Sequence, residues 1–362
     1  MKKIVFVCAT SKMVLHFRTD LIIKYQKEGY KVTVIAFDDT YSEQIKGLSV
    51  DFYSVGSCNR SLNPFSLFSL KGKYKKILKE IRPDVVMTFM LKPNIFGVLA
   101  AKEVGVEKIY SVIEGAGDAF TYNTLKWRIV RSIISTLYKK SLKIPQKVIF
   151  LNNDDREDFI EKGLVNENKS CVVHGIGVNL KQFNSRAINF NGKFLMVARL
   201  SVAKGIYVYA QAAKLVKEKY PNIVFGLLGG EGQINLKEFQ NETGDFVTYY
   251  GETDDVRPYL EDCSVFVLPS YYREGLPMSI MEAQACSRCV ITTDWYGCKD
   301  TVKDGYNGFL VEPKNVEALV EKITYFIENP EKAKEMGENA RKFAEENFCQ
   351  EKINNQIYNL TN

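Results

Sequence analysis

The chain has little histidine and tryptophan, two residues of each among 362. It also lacks any apolar run of the roughly 18 residues that would cross a bilayer. Its first apolar stretch, IVFVCA, is too short for the core of a signal peptide. We therefore expect a cytoplasmic protein. The length exceeds that of one ordinary hydrophobic core, so we expect two domains of about 180 residues each.

The eight cysteines are scattered singly, apart from one C-x-x-C formed by Cys286 and Cys289. A second such pair and a neighbouring histidine are both lacking, which argues against a zinc site. The spacing is typical of reduced thiols in the cytosol rather than of a disulfide framework. We expect Cys286 and Cys289 to be small buried residues at a junction between a helix and a strand.

Two ligand-binding motifs are missing as well. The segment after the first apolar run, ATSKMVLHFRTDL, contains no G-x-G-x-x-G, which argues against a nicotinamide or flavin enzyme. No Asp-x-Asp occurs anywhere in the chain. A divalent ion held on such carboxylates is therefore not expected, and we predict neither a metal nor a cofactor.

Short, nearly continuous apolar runs alternate with segments of helical period along the whole chain. The runs lie near residues 3, 31, 83, 108 and 147, and again near residues 193, 222, 246, 264 and 289. This rhythm predicts an α/β protein with two Rossmann-like domains, the first built from six such units. We place the N-terminal domain at 1–178 and the second domain at 179–340, followed by a final segment at 341–362.

Positive charge is concentrated in the first half of the chain. Residues 1–180 carry 28 Lys and Arg against 18 Asp and Glu, whereas residues 181–362 carry 21 against 25. A basic half can face nucleic acid or an anionic membrane surface. Because no RRM or zinc-finger motif accompanies the charge, nucleic-acid binding is the weaker interpretation.

The stretch PSYYREGLPMSIMEAQA connects the end of one apolar run with a periodic segment. Gly275 and Pro277 interrupt regular structure, and the apolar set from Met278 onward predicts a helix with Pro277 in its first turn. The first backbone N–H groups of a helix lack intrahelical acceptors and favour anions, so this end suits a diphosphate. The N–H groups concerned belong to Leu276, Met278 and Ser279.

Two carboxylates bracket this predicted phosphate site. Glu274 precedes the helix, and Glu282 lies about two turns along it. Carboxylates accept hydrogen bonds from vicinal hydroxyls, so the pair suits a ligand with a sugar at one end, a ribose at the other and phosphates between them. The alternative is a solvated Glu before a helix and another on its exposed face.

The arrangement of Glu, seven residues and Glu resembles the signature of retaining GT-B glycosyltransferases of glycosyltransferase family 4. The resemblance implies two Rossmann-like domains facing across a cleft, with the acceptor on the first domain and a nucleotide sugar on the second. It implies that Glu274 contacts the donor sugar and Glu282 the nucleotide ribose. In GT-B proteins the last helix crosses back onto the first domain, which would be residues 341–362 here.

Other segments of the second half carry the same resemblance. VARLSVAKG matches the family's R-L-x-x-x-K-G element, which implies that Arg199 and Lys204 stabilise the leaving nucleoside diphosphate. LLGGEGQ, with Gly230, and YGETDDV, where the family seats the base and which ends at Val256, extend it. As a sequence pattern alone, Arg199 and Lys204 would be an ordinary surface pair.

Two segments of the first half resemble bacterial glycosyltransferases that extend a polyprenyl-diphosphate-linked saccharide. KPNIFGVLAAK, with Lys92, resembles the family's KPN helix, and IEGAGDAF, with Gly115 and Gly117, resembles its EGLG loop. Glycines there allow the backbone to approach an anion closely. The alternative is a strand-to-helix turn that needs small residues. Arg18 follows the first strand, where open α/β sheets bind ligands, and is either an acceptor-side residue or structural.

A basic segment at 125–143 has the period of an amphipathic helix. Basic residues beside an apolar stripe suit an anionic bilayer, whereas a crossover helix packing on its own sheet explains the apolar face equally well. The apolar face comprises Val130, Ile133, Ile134, Leu137 and Tyr138, and the basic face comprises Arg128, Arg131, Lys139 and Lys143.

Together these patterns predict a retaining, metal-independent hexosyltransferase. Its donor is a nucleotide sugar, expected to be UDP-linked, and its acceptor is a polyprenyl-diphosphate-linked saccharide. Such an enzyme would be peripheral on the inner face of the cell membrane. Two alternatives of other classes remain open: a sugar-nucleotide epimerase of the same fold, and a catalytically silent subunit of a polysaccharide-assembly complex. The presence of Arg199, Lys204, Glu274 and Glu282 disfavours the silent subunit.

Overall fold

The computed structural model describes residues 1–56, 64–186 and 189–362. The chain divides into two compact units, one made of residues 1–176 and 351–362 and the other of residues 177–350. Each unit is an open parallel sheet with helices on its faces. The prediction of two α/β domains with parallel sheets is therefore confirmed.

The first unit holds a seven-stranded parallel sheet in the order β3-β2-β1-β4-β5-β6-β7. Its strands are β1 (Lys3–Val7), β2 (Lys31–Ala36), β3 (Asp51–Ser54), β4 (Val85–Phe89), β5 (Lys108–Ile113), β6 (Lys147–Phe150) and β7 (Ser170–Val172). Its helices are α1 (Ser11–Phe17), α2 (Thr19–Lys27), α3 (Ser42–Lys46), α4 (Pro64–Ile81), α5 (Val98–Glu103), α6 (Asp118–Thr121), α7 (Leu125–Ser141) and α8 (Asn153–Glu161).

The central strands of this sheet form where the sequence is apolar without alternation. The residues of β4 are all buried, as are nearly all of β1 and β2, because helices cover both faces of a parallel sheet. The sequence predicted six strand-and-helix units, and the sheet has seven strands. Five of these strands were located as apolar runs. The strands left out are β3 and β7, which are short edge strands with half-exposed residues and therefore have no continuous apolar run.

The second unit holds a six-stranded parallel sheet in the order β10-β9-β8-β11-β12-β13. Its strands are β8 (Lys193–Val197), β9 (Val224–Leu228), β10 (Thr248–Gly251), β11 (Val265–Leu268), β12 (Cys289–Thr293) and β13 (Gly308–Val311). Its helices are α9 (Ile206–Lys219), α10 (Leu236–Thr243), α11 (Arg257–Asp262), α12 (Met278–Ala285), α13 (Val316–Glu328) and α14 (Pro330–Asn347).

The ends of the units differ from the predicted domain limits by a few residues at 178 and by about ten at 340. Helix α14 packs on α12 and β12, so it belongs to the second unit over its whole length. The last helix, α15 (Gln350–Thr361), contributes Ile353 and Ile357 to the core of the first unit, and the hydroxyls of Tyr25 and Thr361 are hydrogen-bonded.

The strand order reverses direction between β1 and β4 in the first sheet and between β8 and β11 in the second. In open α/β sheets, ligands bind outside the carboxyl ends of the strands at such a reversal, because the connecting loops diverge there and leave a crevice. A ligand-binding site is therefore expected at the loops that follow β1 and β4 in the first sheet and β8 and β11 in the second.

Candidate active site

The loops that follow β8 and β11 lie against each other at the carboxyl edge of the second sheet. The carbonyl of Ala203 accepts a hydrogen bond from the N–H of Tyr271 at 2.8 Å. Gly205 has a φ of +82°, and a Cβ built on it would lie 2.1 Å from the carbonyl oxygen of Pro269. Only glycine fits this close approach, which brings the start of α9 to the end of β11.

Lys204 and Glu274 form an ion pair across these two loops. Glu274 is 9% exposed, and the Ser270 hydroxyl donates a hydrogen bond to its Oε1 at 3.1 Å. The Lys204 ammonium also lies 5.4 Å from the centre of the Tyr272 ring. The sequence assigned Lys204 to a diphosphate and Glu274 to a sugar, and it did not anticipate that the two would contact each other.

The backbone around Glu274 is held by the loop after β12. Gly297, at a φ of +70°, is so close that a Cβ on it would lie 2.2 Å from the carbonyl oxygen of Gly275. The Arg273 guanidinium, almost fully buried, lies 3.7 Å from the centre of the Tyr296 ring. The segment before α12 is therefore fixed by packing on both sides.

Helix α12 begins at Met278, and Pro277 is its N-cap residue with a ψ of 116°. The prediction that Pro277 lies in the first turn is therefore wrong by one position, because its extended ψ ends the loop rather than beginning the helix. The Pro277 carbonyl accepts from the N–H groups of Ile280 and Met281. The N–H groups of Met278 and Ser279 thus precede the first intrahelical hydrogen bonds, and the Leu276 side chain is buried.

Glu282 lies on α12 and is half-buried. No donor from the described part of the chain reaches its carboxylate, and burial raises its pKa to about 8. The charged form of a half-buried carboxylate without a hydrogen-bond partner is disfavoured, and a ligand that supplies donors would lower this cost. The alternative of a solvated Glu on an exposed helix face does not describe this environment.

Arg199 follows β8 and is exposed, with no acidic partner among the described residues. The N–H of the next residue, Leu200, donates to the carbonyl of Gly230 at 2.9 Å, which brings the loop after β9 beside Arg199. Val256 is the residue before α11, and its carbonyl accepts from Leu260. Arg199 and Gly230 therefore adjoin, while Val256 lies at the same edge of the sheet after β10.

In the first unit, Arg18 lies between α1 and α2 and is 4% exposed. It forms an ion pair with Glu114, and its guanidinium lies 4.4 Å from the centre of the Phe89 ring. Burial lowers the pKa of Arg18 to about 10. These three residues line a small pocket at the carboxyl ends of β1, β4 and β5. Arg18 is therefore held by the protein on more than one side.

Two predicted acceptor segments are close in sequence to residues of this pocket. The glycine loop follows Glu114, and the KPN segment follows Met90. Gly115 and Gly117 both have positive φ, and Gly117 immediately precedes α6. Lys92 is half-buried where a π-helical turn begins. Asn94 is fully buried: it accepts from the Thr88 hydroxyl at 2.6 Å and donates to the carbonyl of Val112 at 2.8 Å. Asn94 thus ties β4 to β5.

Helix α7 packs on its own sheet through most of the predicted apolar face, as the crossover-helix alternative expected. Ile134 and Tyr138 are buried in the core of the first unit, and Val130 and Leu137 pack against it. Ile133, which the sequence placed on the same face, is 48% exposed. Ile133 lies at the border of this face, in line with the exposed Ile129 one turn earlier.

The thiols of the described residues are free, and most are buried. Cys286 ends α12 and Cys289 begins β12, which confirms the predicted helix–strand junction. Burial raises the pKa of the Cys286 thiol to about 11. Cys58 lies outside the described residues. Within the parts of the chain that the structure describes, no three His, Cys, Asp or Glu side chains cluster as a metal site would require.

The sequence analysis missed Ser270, whose hydroxyl donates to Glu274, and Glu114, which forms the ion pair with Arg18. Ser270 carries a weak signal, since it ends the apolar run VFVLPS at the edge where ligands bind. Glu114 stands in the quoted IEGAGDAF but pairs with a residue 96 positions away in the chain, which no local pattern reveals.

Two family descriptions match the chain. "Glycosyl transferases group 1" matches residues 179–343, and "Glycosyl transferase 4-like" matches residues 3–152. One relative, the N,N'-diacetylbacillosaminyl-diphospho-undecaprenol alpha-1,3-N-acetylgalactosaminyltransferase of Campylobacter jejuni, is 30% identical over 352 residues, covering 93% of each protein. The chain therefore belongs to the group 1 glycosyl transferases and is a glycosyltransferase.

Two further relatives are also bacterial glycosyltransferases. The UDP-Gal:alpha-D-GlcNAc-diphosphoundecaprenol alpha-1,3-galactosyltransferase of Escherichia coli is 29% identical over 264 residues, which are 68% of this chain and 66% of that protein. The capsular polysaccharide biosynthesis glycosyltransferase CapM of Staphylococcus aureus is 25% identical over 362 residues, covering 93% of this chain and 91% of that protein.

A solved structure shares the fold at low sequence identity. Anabaena Alr3699/HepE in complex with UDP and glucose superimposes with a TM-score of 0.81 at 18% identity, covering 99% of both chains. The fold is the GT-B fold of glycosyltransferases. Among the described residues, no helix is both long and apolar enough to span a bilayer.

Proposed function

We propose that this chain transfers a sugar from a UDP-sugar to a polyprenyl-diphosphate-linked saccharide, with retention at the anomeric carbon and without a metal. The observation that carries the donor side is the Lys204–Glu274 pair beside the start of α12, at the reversal of strand order between β8 and β11. The acceptor side rests on two relatives whose names specify undecaprenyl-diphosphate-linked substrates.

The leaving diphosphate needs positive charge as its bond to the sugar breaks. The N–H groups of Met278 and Ser279, with the positive end of the helix dipole, supply part of it. Lys204 supplies a point charge, and the exposed Arg199 supplies a planar pair of donors. These protein groups do the electrostatic work that a divalent ion does in other transferases.

Glu274 orients the donor sugar rather than attacking it. Its carboxylate is fixed by Lys204 and by the Ser270 hydroxyl, so its direction is set before the donor arrives. When a donor binds, we expect the Lys204 ammonium to be shared between Glu274 and the diphosphate. Retention agrees with the alpha-1,3 linkages named for the two relatives, since UDP-galactose carries its sugar in the α configuration.

Glu282 accepts hydrogen bonds from the ribose hydroxyls of the nucleotide in this proposal. Its raised pKa means that the folded, ligand-free protein favours the protonated carboxyl. The stability that this proton confers is fully present below the ordinary pKa of 4.5 and is lost as pH rises through about 8.

Replacing Glu282 by Gln should therefore raise the melting temperature of the ligand-free protein near pH 8, and the difference from the wild type should shrink as pH falls toward 4.5. At pH values above about 8, where the carboxyl loses its proton, the same change should weaken UDP binding by about tenfold or more, since a hydrogen bond to a charged acceptor contributes about 1.5–3 kcal/mol. Scanning calorimetry and titration calorimetry on both proteins check this. Unchanged UDP affinity would remove Glu282 from the nucleotide site.

Activity should persist in excess chelator, because Lys204, Arg199 and the helix start supply the positive charge at the diphosphate. The measurement is the initial rate of sugar transfer with and without EDTA. Loss of activity in chelator, restored by magnesium or manganese, would show that the metal-independent mechanism is wrong.

The acceptor in this proposal is anchored in a membrane, so the enzyme must work at the lipid surface. We infer that it acts as a peripheral protein on the inner face of the cell membrane. Mass spectrometry of the lipid products from a panel of UDP-sugars and polyprenyl-diphosphate-linked acceptors tests the function. We expect one donor to add a single hexose or N-acetylhexosamine to the acceptor. Conversion of the UDP-sugar alone, with the acceptor unchanged, would instead indicate an epimerase.

A further inference from the structure

Helix α7 carries an unusual set of exposed apolar side chains. Leu125, Ile129 and Ile133 are 73%, 56% and 48% exposed. Apart from the terminal Met1, they are the three most exposed large apolar side chains among the described residues. Their spacing of four residues puts them in one row along the helix, on the side opposite to the buried Ile134 and Tyr138. We call this row the α7 stripe.

Cations flank the α7 stripe on both sides. Lys126 and Lys140 are exposed on the same outward surface of the helix, and Arg128 and Lys139 lie along its other border. None of these four has an acidic partner within the described residues. A row of apolar residues bordered by uncompensated positive charge is the composition of a helix that lies in the plane of an anionic membrane surface.

A shallow basic pocket adjoins the stripe. It is lined by Arg128, Arg131, Ser132, Ser135, Lys139 and Lys162. Arg131 is tied to the carbonyls of Ala119 and Tyr122 at 2.7 and 2.6 Å, and Lys162 pairs with Asp158. Arg128 and Lys139 therefore remain to meet an anion, and the two serine hydroxyls can donate to phosphate oxygens.

Helix α7 also begins at the same edge of the sheet as the loop of Gly115 and Gly117. Strands β5 and β6 are parallel neighbours, so the crossover helix between them runs back from the carboxyl edge of the sheet. Leu125 therefore lies at the end of α7 nearest the loop of Gly115 and Gly117, which the sequence assigns to the acceptor. A surface that holds the bilayer here would bring a lipid-linked acceptor to that edge.

We propose that the α7 stripe and its flanking cations form the surface by which this protein docks on an anionic lipid leaflet. Leu125, Ile129 and Ile133 enter the boundary between head groups and acyl chains, while Arg128 and Lys139 hold lipid phosphates. The proposal rests on the proposed function for its purpose, but the docking itself depends only on the chemistry of α7. A protein partner is disfavoured because four uncompensated cations would need a matching acidic surface.

The test is co-sedimentation of the full chain with vesicles of phosphatidylcholine alone and of phosphatidylcholine mixed with phosphatidylglycerol, at low and at high salt. The wild type should bind the mixed vesicles at low salt, and binding should weaken at high salt. The variant L125S/I129S/I133S and the variant K126Q/R128Q/K139Q/K140Q should each lower the partition coefficient by about tenfold or more.

A matched control exists on the second unit, where Leu215 is 43% exposed on α9 beside the exposed Lys214. The variant K214Q/L215S should bind vesicles as the wild type does. Circular dichroism and the melting temperature check that all variants are folded. If the wild type ignores anionic vesicles, or if the stripe variant binds them as well as the wild type, the docking surface is wrong and a protein partner becomes the better occupant.

A second measurement distinguishes failure of the docking surface from failure of the proposed transfer function. With a short-chain acceptor that dissolves in water, the stripe variant should keep the activity of the wild type, because α7 is outside the donor site. Transfer to this acceptor without any vesicle binding would overturn the docking surface and leave the proposed function intact. Vesicle binding without transfer to any acceptor would support the docking surface and overturn the proposed function.

Discussion

Replacing Lys204 by Ala should lower the turnover number for sugar transfer by about a hundredfold or more, and Arg199→Ala should do the same. Both residues are proposed to neutralise charge that develops on the leaving diphosphate, so their loss acts on the transition state more than on substrate binding. For Lys204 there is a second cost, since its removal leaves the buried Glu274 carboxylate without its cation.

The measurement is the steady-state rate with saturating donor, compared with a variant of an unrelated exposed lysine. Lys334 on α14 is such a control, because it is exposed and makes no ion pair with any described residue. Lys334→Ala should retain full activity. A Lys204 or Arg199 variant that folds normally and turns over at nearly the wild-type rate would exclude that residue from the mechanism.

Gly205→Ala should cause a large loss of stability. The backbone there has a φ of +82°, and the new methyl group would lie 2.1 Å from the carbonyl oxygen of Pro269. The unfavourable φ and the overlap together should cost roughly 3 kcal/mol or more in free energy of unfolding. Because relief of the overlap must separate the two loops, the Lys204–Glu274 pair should be disrupted and activity lost even in the folded fraction.

A variant of Gly305 separates the cost of the unfavourable φ from the cost of the steric overlap. It has a φ of +72° and lies in the same unit, but nothing lies within 4 Å of the place its Cβ would occupy. Gly305→Ala should therefore lose only the conformational part, about 1 kcal/mol. Urea unfolding of both variants measures the difference. Equal destabilisation would mean that the contact between Gly205 and Pro269 does not constrain the loops.

The sequence predicted the features that depend on short-range residue patterns. Continuous apolar runs identified the buried central strands, and their carboxyl ends located Arg199, Lys204 and Glu274 at one edge, because parallel strands share that edge. The edge strands β3, β7 and β13 left little signal, since they are short and half-exposed.

Contacts across long separations could not be predicted. Lys204 and Glu274 are 70 positions apart, and they meet only because β8 and β11 are neighbours in the sheet. Helix α7 has a broad apolar face, and the sequence did not determine where the packed part of that face ends. The structure buries Ile134 and Tyr138 and leaves Leu125, Ile129 and Ile133 outside. The predicted apolar face is therefore the packed face apart from Ile133, and the exposed Leu125 and Ile129 were not part of that prediction.

The most direct test of the account is a crystal structure of the protein with UDP. We expect the diphosphate within hydrogen-bond distance of the N–H groups of Met278 and Ser279 and of the Lys204 ammonium, with the ribose hydroxyls on the Glu282 carboxylate. UDP bound elsewhere, or bound at the start of α12 with Glu282 and Lys204 both out of reach, would contradict the proposed donor site.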